Sequence, residues 1–330
     1  MKVTAFAHTN IALIKYWGKR QQRLNLPDTD SLSLTLKAFG TETTVLLHEG
    51  EHDRFILNEE EQSDNSLKKV ATFLDLIRAQ SANPAKAIVQ STNHVPTAAG
   101  LASSASAFAA LTLAASRAYE LKDQAPRSLS ILARQGSGSA ARSIYGGLVH
   151  MNKGKAKDGH DAYATPIENH HLDLGMLVIP CDVGPKKVSS TVGMNHTQDT
   201  SPYYDMWVKS HDADIQAAHA AIASNNFDDL GQIMEHSTLK MHATALTSQP
   251  GLWYWNPKTW EALNTIKEIR SSTLPCYFTM DAGPHVKVLV QRQQLDEIKK
   301  LLAKSLDRSQ DEIWASEVGG KARLMETKHD

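Results

Sequence analysis

The stretch Pro96-Thr-Ala-Ala-Gly-Leu-Ala-Ser-Ser-Ala-Ser-Ala107 constrains this chain more than any other segment. A strand pattern from Ala85 to Ser91 precedes it, and an Ala-rich helix follows it to about Leu121. Small side chains let backbone N–H groups come close to a bound anion. The start of a helix adds unpaired N–H groups and a partial positive charge. Ser103, Ser104 and Ser106 offer hydroxyls to an oxyanion or to a hard cation. The competing reading is a tight turn into an alanine helix packed on a sheet. The segment lacks the Gly-Lys-Ser/Thr ending of a P-loop and the spacing of a dinucleotide-binding glycine motif.

An anion at such a loop needs local cations, because the chain as a whole supplies none. Lys plus Arg number 35 and Asp plus Glu 36, a formal net charge of -1. Nucleic acid and anionic membranes are therefore not expected partners. Four further segments carry candidate chemistry. In AHTNIALIKYWGKR (Ala7 to Arg20), Lys15, Lys19 and Arg20 follow or break an apolar run and suit a polyphosphate; the alternative is a snorkelling Lys15 with solvated neighbours. In QGSGSAARSIYGG (Gln135 to Gly147), Ser137 and Ser139 lead a turn into a short helix, and Arg142 suits a planar carboxylate. Lys186 and Lys187 precede Ser189, Ser190 and Thr191, a second possible anion site or simply solvated charges. Asp281 ends an apolar strand before Gly283-Pro284, so it is either a general base or a turn-forming Asp.

Strand patterns cover Lys2 to His8, Leu32 to Leu36, Thr41 to His48, Gly146 to Met151 and Leu174 to Pro180. Alternating apolar residues around Asp281 add a strand-loop-strand. Helical stripes cover 65–80, 127–135, 203–224, 227–243, 258–271 and 293–306. The acidic run Glu51 to Asp64 and the polar run Asn152 to Asn169 read as exposed loops, the latter with a hairpin as the alternative, and Asp307 to Asp330 as a weakly patterned tail. Cys181 and Cys276 lie apart in apolar runs, which excludes a disulfide framework and implies buried thiols. No His spacing matches HExxH, and no stretch has the ~20 apolar residues of a membrane span. The opening segment has no signal-peptide pattern, so a cytoplasmic protein is expected.

Together, PTAAGLASSAS, IALIKYWGKR, GSGSAARSIYGG, SSTVGM and MDAGPHVKVL resemble the GHMP small-molecule kinase superfamily and, within it, the diphosphomevalonate decarboxylases. Ala102, where the superfamily loop usually has Gly, is itself the decarboxylase form. Thr191 stands where many bacterial relatives carry Arg. The resemblance implies an α+β, two-lobed fold with the active site in the interlobe cleft. It implies an ATP-binding domain over residues 1–182 and a second domain over 183–330. The implied reaction converts ATP and 5-diphosphomevalonate to isopentenyl diphosphate, ADP, phosphate and CO2, with Mg2+.

By the same resemblance Asp281 and Arg142 are catalytic, together with one of Lys186 and Lys187 near the ATP phosphates, here taken as Lys187. Tyr16, Lys19, Ser137, Ser139, Arg142, Ser190, Thr191 and Met194 hold the substrate. Pro96, Ala99, Gly100, Leu101, Ala102, Ser103, Ser104 and Ser106 cradle ATP, with Ser104 the magnesium hydroxyl. Lys15, Lys19, Arg142, Lys186 and Lys187 are expected to converge on one cleft, with Asp281 the acid inside. A homodimer is also implied. Two rivals stay open: a kinase that stops at a stable 3-phosphoester, and a silent binding protein on the same fold.

Overall fold

The computed structural model describes residues 1–94, 103–182, 184, 188–272 and 274–326. The chain runs β1 (Lys2–Ile14), β2 (Lys19–Gln21), β3 (Leu26–Pro27), β4 (Ser31–His48), β5 (Arg54–Leu57), β6 (Glu60–Gln62), α1 (Asp64–Arg78) and β7 (Lys86–His94). Then come α2 (Ser103–Ala118), α3 (Pro126–Gly136), α4 (Ala140–Ser143), β8 (Leu148–Met151), β9 (Ala164–Pro166) and β10 (Leu174–Ile179). The remainder is α5 (Ser190–Thr200), α6 (Tyr204–Ala223), α7 (Phe227–Leu246), α8 (Pro257–Ser272), β11 (Tyr277–Met280), β12 (Val286–Gln291), α9 (Leu295–Ser305), β13 (Trp314–Glu317) and β14 (Arg323–Leu324).

Two sheets define two lobes. The first has the order β14-β1-β4-β7-β5-β6, with β8 beside β4 and β9 beside β8. The second has the order β11-β12-β10-β13. The first lobe covers one sheet face with α1 and α2. Ala114, Ala115 and Ala118 pack there with Phe73, Leu74 and Val89. The alanines allow α2 to lie close to β1 and β4, as the small-residue pattern requires.

Strand β10 shows how the lobes join. Its residues alternate, as a strand's must. Leu174, Met176 and Val178 enter a core shared with Ile11, Leu34 and helices α6 and α7. Leu177 and Ile179 enter a second core under α8 and α9. The lobes therefore meet through an apolar core, and the cleft opens at its edge. The sheets do not divide at residue 182: β10 pairs with β12 in the second sheet, and β14 returns to pair with β1.

Three expectations about loops are corrected. The acidic run holds the hairpin β5–β6, closed by Asn58 and Glu59, both at positive φ (50° and 72°). Positive φ at both central residues is the hairpin-turn geometry that Asn favours. The run after Asn152 takes the hairpin alternative, since β8 and β9 pair antiparallel around it, but it is not simply exposed: Ala162 and Ala164 are fully buried. The tail does not fray over the residues described. β13 pairs with β10, the Gly319 N–H donates to Thr35 O at 2.8 Å, and the Met325 N–H donates to Thr4 O at 2.9 Å. The thiols match expectation: Cys181 and Cys276 are buried and free.

That tail supplies a stability prediction. A Cβ on Gly146 would lie 2.5 Å from Gly320 C and 2.6 Å from Lys321 N, both backbone atoms. Gly146→Ala is expected to destabilise the protein by about 1–3 kcal/mol. Urea unfolding checks it, and an unchanged midpoint would refute the docking of the tail here.

Candidate active site

Strand β1 ends at Ile14, and Lys15 turns inward. Its side chain is 1% exposed, and its Nζ donates to Asp281 Oδ1 at 2.8 Å and to Ala12 O at 2.9 Å. Asp281 follows β11 in the loop to β12. Lys287, in β12, approaches its other oxygen: Nζ lies 3.5 Å from Oδ2, and the lysine side chain is 2% exposed. The Asp281 side chain is 27% exposed, so it spans buried cations and the open cleft. Burial pulls the Lys15 ammonium down to about 8, and Asp281 opposes that shift. Lys15 was expected to face a polyphosphate; it is instead spent on Asp281.

Arg142 lies in α4 after the Gly/Ser turn. It is buried, its Nε donates to Asn10 Oδ1 at 3.1 Å and its Nη1 donates to Ser31 Oγ at 2.8 Å. Its guanidinium lies 6.0 Å from the centre of the Tyr16 ring. Burial draws its pKa down to about 10, with Tyr16 and Asp281 acting against the shift, so it remains a cation at neutral pH. The Tyr16 hydroxyl is buried with no hydrogen-bond partner among the described residues. A side chain at Gly138 would collide with it. Glycine there keeps room beside a polar atom that lacks a partner among the described residues, as expected of a ligand position.

Lys19 is 7% exposed and donates from Nζ to Asn25 Oδ1 at 2.7 Å. Burial, with the Lys69 charge second, pulls it down to about 8. Gly18, just before it, has φ +106°, and a Cβ there would overlap the Tyr204 hydroxyl. The turn that aims Lys19 therefore needs glycine twice over, for its dihedral and for space.

A cleft of about 1130 Å³ lies between the lobes, with Lys15 and Lys287 behind its wall. Tyr16, Lys19, Ser104, Ser137, Ser139, Arg142, Ser190, Thr191, Met194 and Asp281 all reach it. Ser137 Oγ donates to Ser104 Oγ at 3.4 Å, which links the Gly/Ser turn to the start of α2. Ser190 and Thr191 form the first turn of α5. Ser189 caps it, accepting from the Val192 N–H at 3.3 Å. Met194 lines the cleft from a cluster with Trp17, Tyr204 and Trp207.

Ser106 is a correction. It is fully buried, its Oγ is 2.8 Å from Thr41 Oγ1, and it donates to Ser103 O at 3.1 Å. It ties the start of α2 to the sheet and does not face a ligand. Pro96, Ala99, Gly100, Leu101, Ala102, Lys186 and Lys187 lie outside the described residues. Among those described, the cations lining the cleft are Lys19, Arg23, Lys68, Lys69 and Arg142, against the carboxylate of Asp281. Sequence reasoning missed Asn10 and Ser31, which hold Arg142, and Lys287. Asn10 and Lys287 sit in quoted motifs and Ser31 just ahead of a strand pattern, but none of the three gives a sign in the sequence of what it faces.

The two-sheet architecture with a cationic interlobe cleft is the GHMP kinase fold. Residues 7–164 match the diphosphomevalonate decarboxylase-like N-terminal domain, and residues 176–328 match the mevalonate 5-diphosphate decarboxylase C-terminal domain. A diphosphomevalonate decarboxylase from Ganoderma lucidum is 34% identical over 94% of this chain and 83% of its own length. The crystal structure of mevalonate diphosphate decarboxylase from Staphylococcus aureus is 41% identical, with 98% of each chain covered and a TM-score of 0.93. A structure of MDDEF in complex with MVAPP, AMPPCP and magnesium is 44% identical, with 99% of each chain covered and a TM-score of 0.93. The chain belongs to the diphosphomevalonate decarboxylase family.

Proposed function

We propose that this chain catalyses the ATP-dependent decarboxylation of 5-diphosphomevalonate to isopentenyl diphosphate, with release of ADP, phosphate and CO2. The observation that carries this is Asp281, an acid held by Lys15 and Lys287 in a cleft whose other charged lining residues, among those described, are all cations, with Arg142 in the same wall. The substrate has a tertiary hydroxyl at C3, beta to a carboxylate. Hydroxide is too poor a leaving group to depart unaided, so the oxygen is first phosphorylated. Asp281 aligns the hydroxyl or takes its proton as the oxygen attacks the γ-phosphorus and ADP leaves. The C3–O bond then breaks, and phosphate carries away its electron pair. The bond to the carboxylate carbon breaks next, and its pair forms the alkene as CO2 leaves.

Arg142 orients the carboxylate, since its fork is fixed by Asn10 and Ser31. Tyr16, Lys19, Ser137, Ser139, Ser190, Thr191 and Met194 accommodate the rest of the substrate, with Lys19 and the first turn of α5 on the diphosphate. ATP takes the loop 96–104. A smaller recess walled by Phe55, Leu57, Phe108 and Leu111 and edged by Asn93 suits a flat base. Lys187 is the cation we assign to the ATP phosphates. Among the described residues no group of three His, Cys, Asp or Glu could hold a metal. Ser104 fits an ion carried in by phosphates and given one hydroxyl. Bound there, Mg2+ neutralises phosphate charge. The homodimer rests on the family resemblance and the cytoplasmic location on the opening segment's lack of a signal-peptide pattern; no helix among the described residues is long and apolar enough to cross a membrane.

The deciding assay follows ADP, phosphate and CO2 together with 5-diphosphomevalonate. One CO2 per ADP is expected. ADP with a persistent phosphoester would establish the kinase reading, and no ADP the silent one. A pH prediction follows from the lysines. Lys15 and Lys19 lose their protons as pH rises through about 8, so the free site loses positive charge above it. We expect kcat/KM to fall above that pH and Lys19→Met to flatten the fall; a level wild-type profile to pH 9.5 would contradict the assignment.

A further inference from the structure

We propose that Lys287 is a positioning residue for this reaction: it holds the Oδ2 side of Asp281 while Lys15 holds Oδ1, and so fixes both the plane and the charge of the carboxylate that faces the cleft. The proposal rests on the role given to Asp281 above.

The placement of Lys287 argues for a role beyond the fold. β12 is an interior strand, between β11 and β10. Val286, Val288 and Val290 fill the core under α8 and α9. On the opposite face Leu289 enters the core shared by the lobes, so an apolar residue at 287 would continue the pattern. A lysine there, with its side chain 2% exposed, is an expensive choice. Its Nζ lies 3.3 Å from His285 O and 3.5 Å from Asp281 Oδ2.

One ion pair does not fix a carboxylate. The terminal torsion of Asp is broad and roughly two-fold, so a carboxylate held at one oxygen still swings. The Lys15 contact alone leaves that freedom. A second cation at the other oxygen removes it, and adds to the stabilisation of the anion. Among the described residues, the charged and titratable groups facing Asp281 include Lys15 from the end of β1, Arg142 from α4, His242 from α7 and Lys287 from β12. Burial pulls His242 down to about 3, so it stays neutral at working pH. The cationic groups in this set are thus Lys15, Arg142 and Lys287. Of these, Lys15 and Lys287 make ion pairs with the carboxylate.

The test compares wild type, Lys287→Met and Lys287→Arg. Lys287→Met is expected to lower kcat at least tenfold while KM for 5-diphosphomevalonate changes less than threefold. The acid limb of its kcat–pH profile should move up by about one unit, because Asp281 has lost a stabilising cation. Substrate phosphates titrate identically in each variant, so the difference between variants reports the enzyme. Lys287→Arg should leave the limb in place and restore part of kcat. A merely structural lysine would instead lower the melting temperature and leave the limb unmoved, and that result overturns the proposal. Should Met not fold, Lys287→Gln is read in the same way. A second measurement needs no turnover: the carbon-13 signal of the Asp281 carboxyl, assigned by its loss in Asp281→Asn, should titrate about one unit higher in Lys287→Met. An unchanged midpoint refutes Lys287 even if the reaction assigned above is wrong. Wild-type enzyme without CO2 release refutes that reaction while this titration still decides Lys287.

Discussion

Asp281→Asn should bind nucleotide and 5-diphosphomevalonate and yet turn over about 10²–10⁴-fold more slowly, the range set by loss of a positioned general base. The amide matches the carboxylate in size, so the cleft keeps its shape. It loses the charge that draws the C3 proton, and one of its two acceptor oxygens becomes an NH2 donor, so it no longer offers an oxygen to Lys15 and to Lys287 at once. Two ammonium groups, 1% and 2% exposed, are then left beside a neutral amide. Removing one partner of a buried pair costs several kcal/mol when the other charge stays. Lys15 can escape part of this by losing its proton, since burial already holds it down to about 8. In the variant its folded-state pKa falls further below the unfolded value. Between those two values the unfolded chain binds more protons, so stability rises with pH. The variant should therefore melt lower than wild type on the acid side of neutrality, with the deficit narrowing as pH climbs towards 8, above which Lys15 is neutral in both proteins. Stopped-assay product counts and melting curves from pH 6.5 to 9.5 check both parts. Near-normal CO2 release would remove Asp281 from the chemistry. A melting deficit independent of pH would mean that the lysines are not the source of the cost.

That coupling also explains which parts of the site could be read in advance. Arg142 and Asp281 stand out because single charges follow Gly/Ser turns or precede Gly-Pro, where a side chain is presented rather than packed. Tyr16 and Lys19 flank a glycine whose φ of +106° marks a built turn. Lys15 and Lys287 carry no such mark. Each follows or interrupts an apolar run, and a lysine in an alternating strand reads as its solvent side. Only the placement of β12 inside the second sheet, with α7 above it, makes that side an interior. The same limit applies to Ser106. Its hydroxyl resembles its neighbours in sequence, and helical rotation alone turns it to Thr41 instead of the cleft. The tail was illegible for a related reason. β13 and β14 have four and two residues, too short for a periodic signal, and they owe their existence to partners some 140 and 320 positions away in the chain.

Arg142→Met should lower kcat/KM by about 10²–10³-fold, the cost expected when one partner of a buried, hydrogen-bonded charge pair with the substrate is removed. The larger effect should be on coupling. Arg142 is held at Nε by Asn10 and at Nη1 by Ser31, so its fork enters the cleft in one orientation. A carboxylate set by that fork has its C–C bond aligned with the C3–O bond that must break. Without it the substrate still meets Asp281 and ATP, so phosphorylation suffers less than loss of CO2. ADP should then exceed CO2, and a phosphoester should accumulate. Arg142→Lys keeps the charge but cannot bond Asn10, Ser31 and a carboxylate together. It should recover binding more than coupling, with KM near wild type and CO2 still lagging ADP. An over-tight ion pair would stabilise the ground state against decarboxylation, and only this variant exposes that balance. If Lys restores one CO2 per ADP, charge alone is what position 142 supplies, and the geometry set by Asn10 and Ser31 has no part in the rate.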